Sequence, residues 1–135
     1  MGDSCWVEIN VRPEHVREVE EAFGGPAPEK DTNKDGSIHL FIDEVKYVED
    51  ALVNLQRKKI PYHGCHGEGF GYGPRCFWSD GKKEDDWERG WEEGFVVIPD
   101  SQGAISREQC RRLKGYIFGE RRTKNIVKVK DAKKN

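Results

Sequence analysis

Apolar and polar residues alternate from Cys5 to Val11, with Cys5, Val7, Ile9 and Val11 on one side and Trp6, Glu8 and Asn10 on the other, a period of two that predicts a half-buried strand. The period then lengthens. Pro13 at a first helical turn, Glu14 after it, and Val16, Val19, Ala22 and Phe23 at helical spacing predict a short amphipathic helix closed by Gly24 and Gly25. Residues 26–30 read as a loop. Ile38, Leu40 and Ile42 restore the alternation and predict a second strand over 37–45, introduced by a turn at Asp35-Gly36. Val48, Ala51, Leu52 and Leu55 follow at helical spacing up to the basic stop Arg57-Lys58-Lys59, with Pro61 beyond. Further on, 75–79 reads as a strand, 81–88 as an acidic turn, and 94–98 as a strand carrying Phe95-Val96-Val97-Ile98. Ser106 and Gln109 form a capping box for a last helix, with Cys110, Leu113, Ile117 and Phe118 along its apolar side despite Gly115. The order β-α-β-α-β-β-α predicts an α+β fold, one mixed or antiparallel sheet covered by about three helices, rather than a doubly wound nucleotide fold. The expected domain is 1–127, with a basic tail over 128–135.

A chain of 135 residues suits one domain that buries about two thirds of its unfolded surface, so neither a disulfide nor a metal is required for stability. No apolar run reaches membrane-spanning length, and the first ten residues lack the basic start and long apolar stretch of a signal peptide, which points to the cytoplasm and to no membrane partner. Cys5, Cys65, Cys76 and Cys110 are irregularly spaced, a pattern that favours reduced thiols there. The net charge of −2 hides an asymmetry: residues 106–135 carry eleven lysines and arginines against three acids, whereas 1–105 carry twelve against twenty-two. A basic C-terminal segment of this kind holds nucleic acid or an acidic partner, or folds back on the acidic remainder.

The chemistry-bearing residues gather in 61–81, PYHGCHGEGFGYGPRCFWSDG, where glycine occupies every second position from Gly67 to Gly73 and the backbone is open to close approach. His63, Cys65, His66 and Cys76 supply thiolate and imidazole in the number a tetrahedral zinc site takes. Their spacing departs from the common modules, and on a strand Cys65 and His66 point to opposite faces, so no metal or other cofactor is expected. A Cys–His enzyme drawn from Cys65 or Cys76, His63 or His66, and Glu68 or Asp80 is a second alternative, without a recognisable nucleophile setting. The segment Asp31-Thr32-Asn33-Lys34-Asp35-Gly36 imitates the first half of a calcium loop, but its twelfth position is Ile42 in place of a bidentate carboxylate, so a polar turn is the expectation.

Trp78, Trp87 and Trp91 lie among Asp80, Glu84, Asp85, Asp86, Glu88, Glu92 and Glu93, and an exposed indole ringed by acids suits docking onto a basic protein surface. The expected partner surface is His66, Glu68, Tyr72, Asp85, Asp86, Trp87, Trp91 and Glu92. Arg111, Lys114, Arg121 and Arg122 on the last helix form the nucleic-acid alternative, through phosphate contacts without base specificity.

Ile60-Pro61-Tyr62, then His66-Gly67, Gly69, Tyr72-Gly73 and Asp80-Gly81, preceded by the helix with Ala51 and Leu52, make a pattern over 43–81 that resembles a group of small uncharacterised proteins of bacteria, phages and plasmids. The resemblance implies an accessory protein that binds a larger host complex, and an inhibitor of host defence of the anti-CRISPR sort is the setting it suggests. It implies no catalytic residue. The reading from the sequence is therefore a small non-enzymatic protein-binding module.

Overall fold

The structure, a computed structural model, describes residues 4–69, 73–90 and 94–129. Six strands form one antiparallel sheet: β1 (Cys5–Val11), β2 (Glu29–Thr32), β3 (Ile38–Val45), β4 (Tyr62–His66), β5 (Arg75–Ser79) and β6 (Glu84–Glu88), in the order β2-β3-β1-β4-β5-β6. Three helices cover it: α1 (Val16–Ala22), entered by a 3-10 turn at Pro13–His15, α2 (Val48–Arg57) and α3 (Arg107–Val127). The α+β class is as the sequence indicates. No helix among the described residues is long and apolar enough to cross a membrane.

The helices divide between the two faces. Val7, Ile9 and Val11 of β1, with Leu40, Ile42, Tyr62 and Phe77, pack against Val19 of α1 and Val48, Leu52 and Leu55 of α2. On the other face Cys76, Trp78 and Trp87 pack against Tyr116 of α3, flanked by Cys65, Leu113 and Ile117. β5 is consequently buried on both sides: Phe77 turns to α2, and its neighbours Cys76 and Trp78 turn to α3.

Four elements depart from the sequence reading. β2 occupies part of the expected loop and pairs Glu29–Thr32 with the first half of β3, although all four of its residues are exposed. β4 forms over Tyr62–His66, immediately before the run of alternate glycines, where no strand was expected. β6 forms where an acidic turn was expected: Glu84-Asp85-Asp86-Trp87-Glu88 has poor strand propensity, but Trp87 sits opposite Cys76 and buries its indole, and that packing overrides propensity. Residues 94–98 are a strap rather than a strand. One bridge joins Phe95 to Arg89, the Val96 amide donates to the Glu88 carbonyl, and Ile98 is held by both its backbone groups on the Gln109 side chain.

That last contact also alters the helix cap. Ser106 Oγ accepts from the Gln109 amide (3.1 Å) as expected, but the Gln109 side chain is committed to Ile98 and does not return to Ser106. The buried stripe of α3 is Tyr116, Gly119, Thr123 and Val127; of the expected apolar side Leu113 and Ile117 are half-buried at its flank, whereas Cys110 and Phe118 are exposed. At its C-terminus, carbonyls of Ile126 and Lys128 accept from Arg12 Nη1 (3.3 and 2.9 Å), and the Val129 amide donates to the Asp35 carbonyl. The start of the expected tail is thus docked on the fold, and 130–135 lie outside the described residues.

Candidate functional site

Gly64 of β4 and Gly67 just beyond it serve the chain's own packing. A side chain at Gly64 would strike the Glu8 carbonyl on β1, and one at Gly67 would strike the Trp6 indole, which lies flat against that backbone. The close approach that this segment permits is therefore intramolecular at both positions.

Strand alternation separates the cysteine and histidine side chains. His63 and Cys65 face α3, and Cys65 is the direct cross-strand neighbour of Cys76. His66 points to the α2 face, 8% exposed, where its Nδ1 donates to the Gly67 carbonyl (2.8 Å) and its ring stacks on Phe77. Burial pushes its pKa down, with the Arg75 charge helping and the Gly67 carbonyl opposing. The four residues of the zinc alternative do not converge, and no group of three metal-ligating side chains exists among the described residues. No disulfide joins Cys5, Cys65, Cys76 or Cys110. The enzyme alternative loses His66, which lies on the opposite face of the sheet from Cys65 and Cys76; His39 and Glu8, which it does not name, offer no substitute. Cys65 Sγ lies 4.0 Å from Glu8 Oε1, and His39 Nε2 lies 3.6 Å from the same oxygen, so the carboxylate stands between thiol and imidazole. A thiol in that order gains no activating base from His39. Cys76 is spent on packing, its thiol donating to the Trp87 carbonyl (3.5 Å) and its pKa raised chiefly by burial.

Trp87 is not an exposed anchor. It is 9% exposed under α3 and the strap, its Nε1 donates to the Val96 carbonyl (2.8 Å), and the Arg112 guanidinium lies 5.2 Å over its ring. Asp85 meets the same arginine in a bidentate pair (2.7 and 2.8 Å). Asp80 and Trp78 hold Arg122 likewise, at 2.9 Å and 5.4 Å. Burial alone would raise the Asp80 carboxyl, but the Lys83 and Lys82 amides and then Arg122 outweigh it and hold it low. Two of the arginines thus bolt α3 to the sheet. Tyr72, Trp91 and Glu92 of the expected surface lie outside the described residues.

What remains open is on the α2 face. Asp86 stands opposite Phe77, so Glu84 and Asp86 share one side of the edge strand β6, and α2 stops short of covering them. Between α2 and β6 runs a groove of about 310 Å³ whose floor is Leu52, Val53, Tyr62 and Phe77 and whose rim is Glu49, Glu84 and Asp86. It continues past Glu49 into a second hollow of about 320 Å³, lined by Tyr47, His66 and Arg75. Arg75 pairs with Asp86 (3.2 Å), the one basic contact on that rim among the described residues. Tyr47, at 71% exposed, stands at the mouth. Glu68 lies elsewhere, in a hollow of about 830 Å³ on the α3 side with Trp6, Glu8, Cys65, Glu88 and Arg89.

On the outer surface of α3 the basic residues sort into two sets. Arg112 and Arg122 are engaged as described, while Arg107, Arg111, Lys114 and Arg121 are exposed and have no ion-pair partner among the described residues. The sequence reading missed Glu49, Leu52, Val53 and Glu84 as one site because their grouping depends on β6 being a strand. It also missed that Phe118 is exposed. Its spacing from Arg111, Lys114 and Arg121, by seven, four and three residues, was the available signal. No protein-family model matches the chain, and no curated protein or solved structure matches it either.

Proposed function

We propose that the protein is a non-enzymatic binding module that takes a basic segment of another protein into the groove between α2 and β6. The observation that supports this most is the combination there of an apolar floor (Leu52, Val53, Phe77) with a carboxylate rim (Glu49, Glu84, Asp86) that, among the described residues, only Arg75 offsets. Acids along an edge strand also deter pairing with other strands, but that role requires no hollow beside them. An arginine or lysine whose stem lies on the floor and whose head reaches the rim satisfies both parts of the groove. By this reading, inhibition of a host complex takes a simple form: the module covers a basic surface that the complex needs for nucleic acid, and like charge excludes the competitor.

The test is calorimetric titration with an arginine-rich peptide carrying one leucine, at low and high salt. Binding is expected to weaken with salt and to fall several-fold in Glu84→Gln/Asp86→Asn, with the thermal midpoint unchanged. Equal affinity in wild type and variant would remove the groove from the interaction.

A further inference from the structure

We infer that the outward face of α3 is a second, separate interaction surface, and that it binds single-stranded nucleic acid, with Phe118 as the stacking platform. Arg107, Arg111, Lys114, Phe118 and Arg121 follow one another at intervals of four, three, four and three, which places them within about 80° of arc on a helix. The opposite side of the helix is the buried stripe of Tyr116, Gly119, Thr123 and Val127, so this row faces water. All five are exposed, and Phe118 is 59% exposed. Of the other cations of α3, Arg112 and Arg122 are paired with the sheet and Lys124 with Glu120 one turn before it.

A lone surface phenylalanine needs no explanation, but its place does. Lys114 and Arg121 stand one turn to either side of Phe118, and Arg111 and Arg107 extend the row over a stretch of roughly 21 Å from end to end. A ring flanked by cations on both sides suits one unpaired base held between its neighbouring phosphates. Single strands are favoured over duplex because an unpaired base offers its face to the phenyl ring, whereas a paired base is already stacked. An acidic protein would satisfy the cations equally and leave the ring's position without a use.

Fluorescence anisotropy with a labelled oligothymidine tests this in the intact protein. The expected result is binding that falls about 50-fold between about 50 mM and 200 mM salt if four phosphates are engaged. Phe118→Ala is expected to weaken binding at least roughly five-fold, by loss of one stacked base, with an unchanged melting curve. Arg111→Ala/Lys114→Ala/Arg121→Ala is expected to abolish it and flatten the salt dependence. The groove variant Glu84→Gln/Asp86→Asn is expected to bind the oligonucleotide as wild type does, which separates this surface from the proposed function. Absence of binding at low salt, equal affinity for duplex, displacement by polyglutamate as readily as by oligonucleotide, or full affinity in Phe118→Ala would each overturn the inference.

Discussion

Two glycines four residues apart in α3 are expected to respond to alanine with opposite sign. At Gly115 a new methyl group meets nothing within 4 Å, so the substitution collects only the helix-propensity difference, a gain of about 0.8–1.0 kcal/mol. At Gly119 the same propensity gain is available, but the added carbon would fall on the Trp78 ring, far inside the ~3.5–4.0 Å of ordinary carbon contact. The ring has nowhere to go. Trp78 is 4% exposed, Tyr116 packs 6.3 Å away between centroids, and the Arg122 guanidinium covers it at 5.4 Å. Overpacking of that kind costs roughly 1–3 kcal/mol, and a rigid buried indole puts this site at the upper end, so Gly119→Ala is expected to be destabilised by roughly 2 kcal/mol net of the propensity gain. At this chain length 1 kcal/mol moves the midpoint by about 3–5 °C. Thermal unfolding followed by circular dichroism should therefore place Gly115→Ala above wild type and Gly119→Ala clearly below it. If Gly119→Ala melts with or above wild type, α3 does not lie on Trp78 as described, and the division of its arginines into bolted and free falls with it.

Acid should weaken the fold before the carboxylates titrate. Burial, then Lys124 and His39, outweigh Asp35 and push the His63 pKa from 6.5 down to about 4, so the unfolded chain takes up this proton first, and stability present above about pH 6.5 is lost as pH falls toward 4. The loss between about pH 7 and pH 5 is about 2 kcal/mol, read by urea unfolding, and His63→Asn should flatten most of it; an equally steep profile in the variant would refute the assignment. Trp87→Ala should lose roughly 3–5 kcal/mol, because the indole is interior, whereas Glu84→Gln/Asp86→Asn should stay within about 0.5 kcal/mol of wild type by the same denaturation assay. Arg12→Ala removes the Nη1 donor of two hydrogen bonds to carbonyls at the C-terminal end of α3 and should cost roughly 1–2 kcal/mol, with faster amide hydrogen exchange near residues 126–129 as its local signature.

The parts of the fold that the sequence discloses are those where one face is apolar and the other is not. Val7, Ile9 and Val11 alternate with Glu8 and Asn10 because β1 has one buried side lined by α1 and α2, and α2 shows Val48, Ala51, Leu52 and Leu55 for the complementary reason. The signal fails where burial is two-sided or supplied by a distant element. β5 is apolar on both faces, and β6 has one buried residue in five, so neither carries a clean period. α3 misleads in a different way. Its contact with the sheet passes through Gly119, which contributes no hydrophobicity, and through Tyr116, so the apolar letters Cys110 and Phe118 mark the wrong side. The candidate groove inherits that difficulty, since its two walls come from residues thirty positions apart and meet only once β6 is paired.

The charge asymmetry along the chain becomes a spatial one, and its geometry bears on whether the two proposed surfaces interfere. An acidic body would be expected to repel a polyanion approaching α3. Two of the nearest carboxylates, Asp80 and Asp85, are already neutralised by Arg122 and Arg112 at the helix–sheet contact. Glu84 and Asp86 point to the α2 side, with the sheet and the body of α3 between them and the outward cations. A helix alone is roughly 10–12 Å across, which already exceeds the Debye length of about 8 Å at physiological salt. The same arginines that fix α3 in place therefore also screen it. If both proposals hold, the groove and the cationic face lie on opposite sides of the sheet, so occupation of one is expected to leave the affinity of the other unchanged, which sequential titration of peptide and oligonucleotide checks.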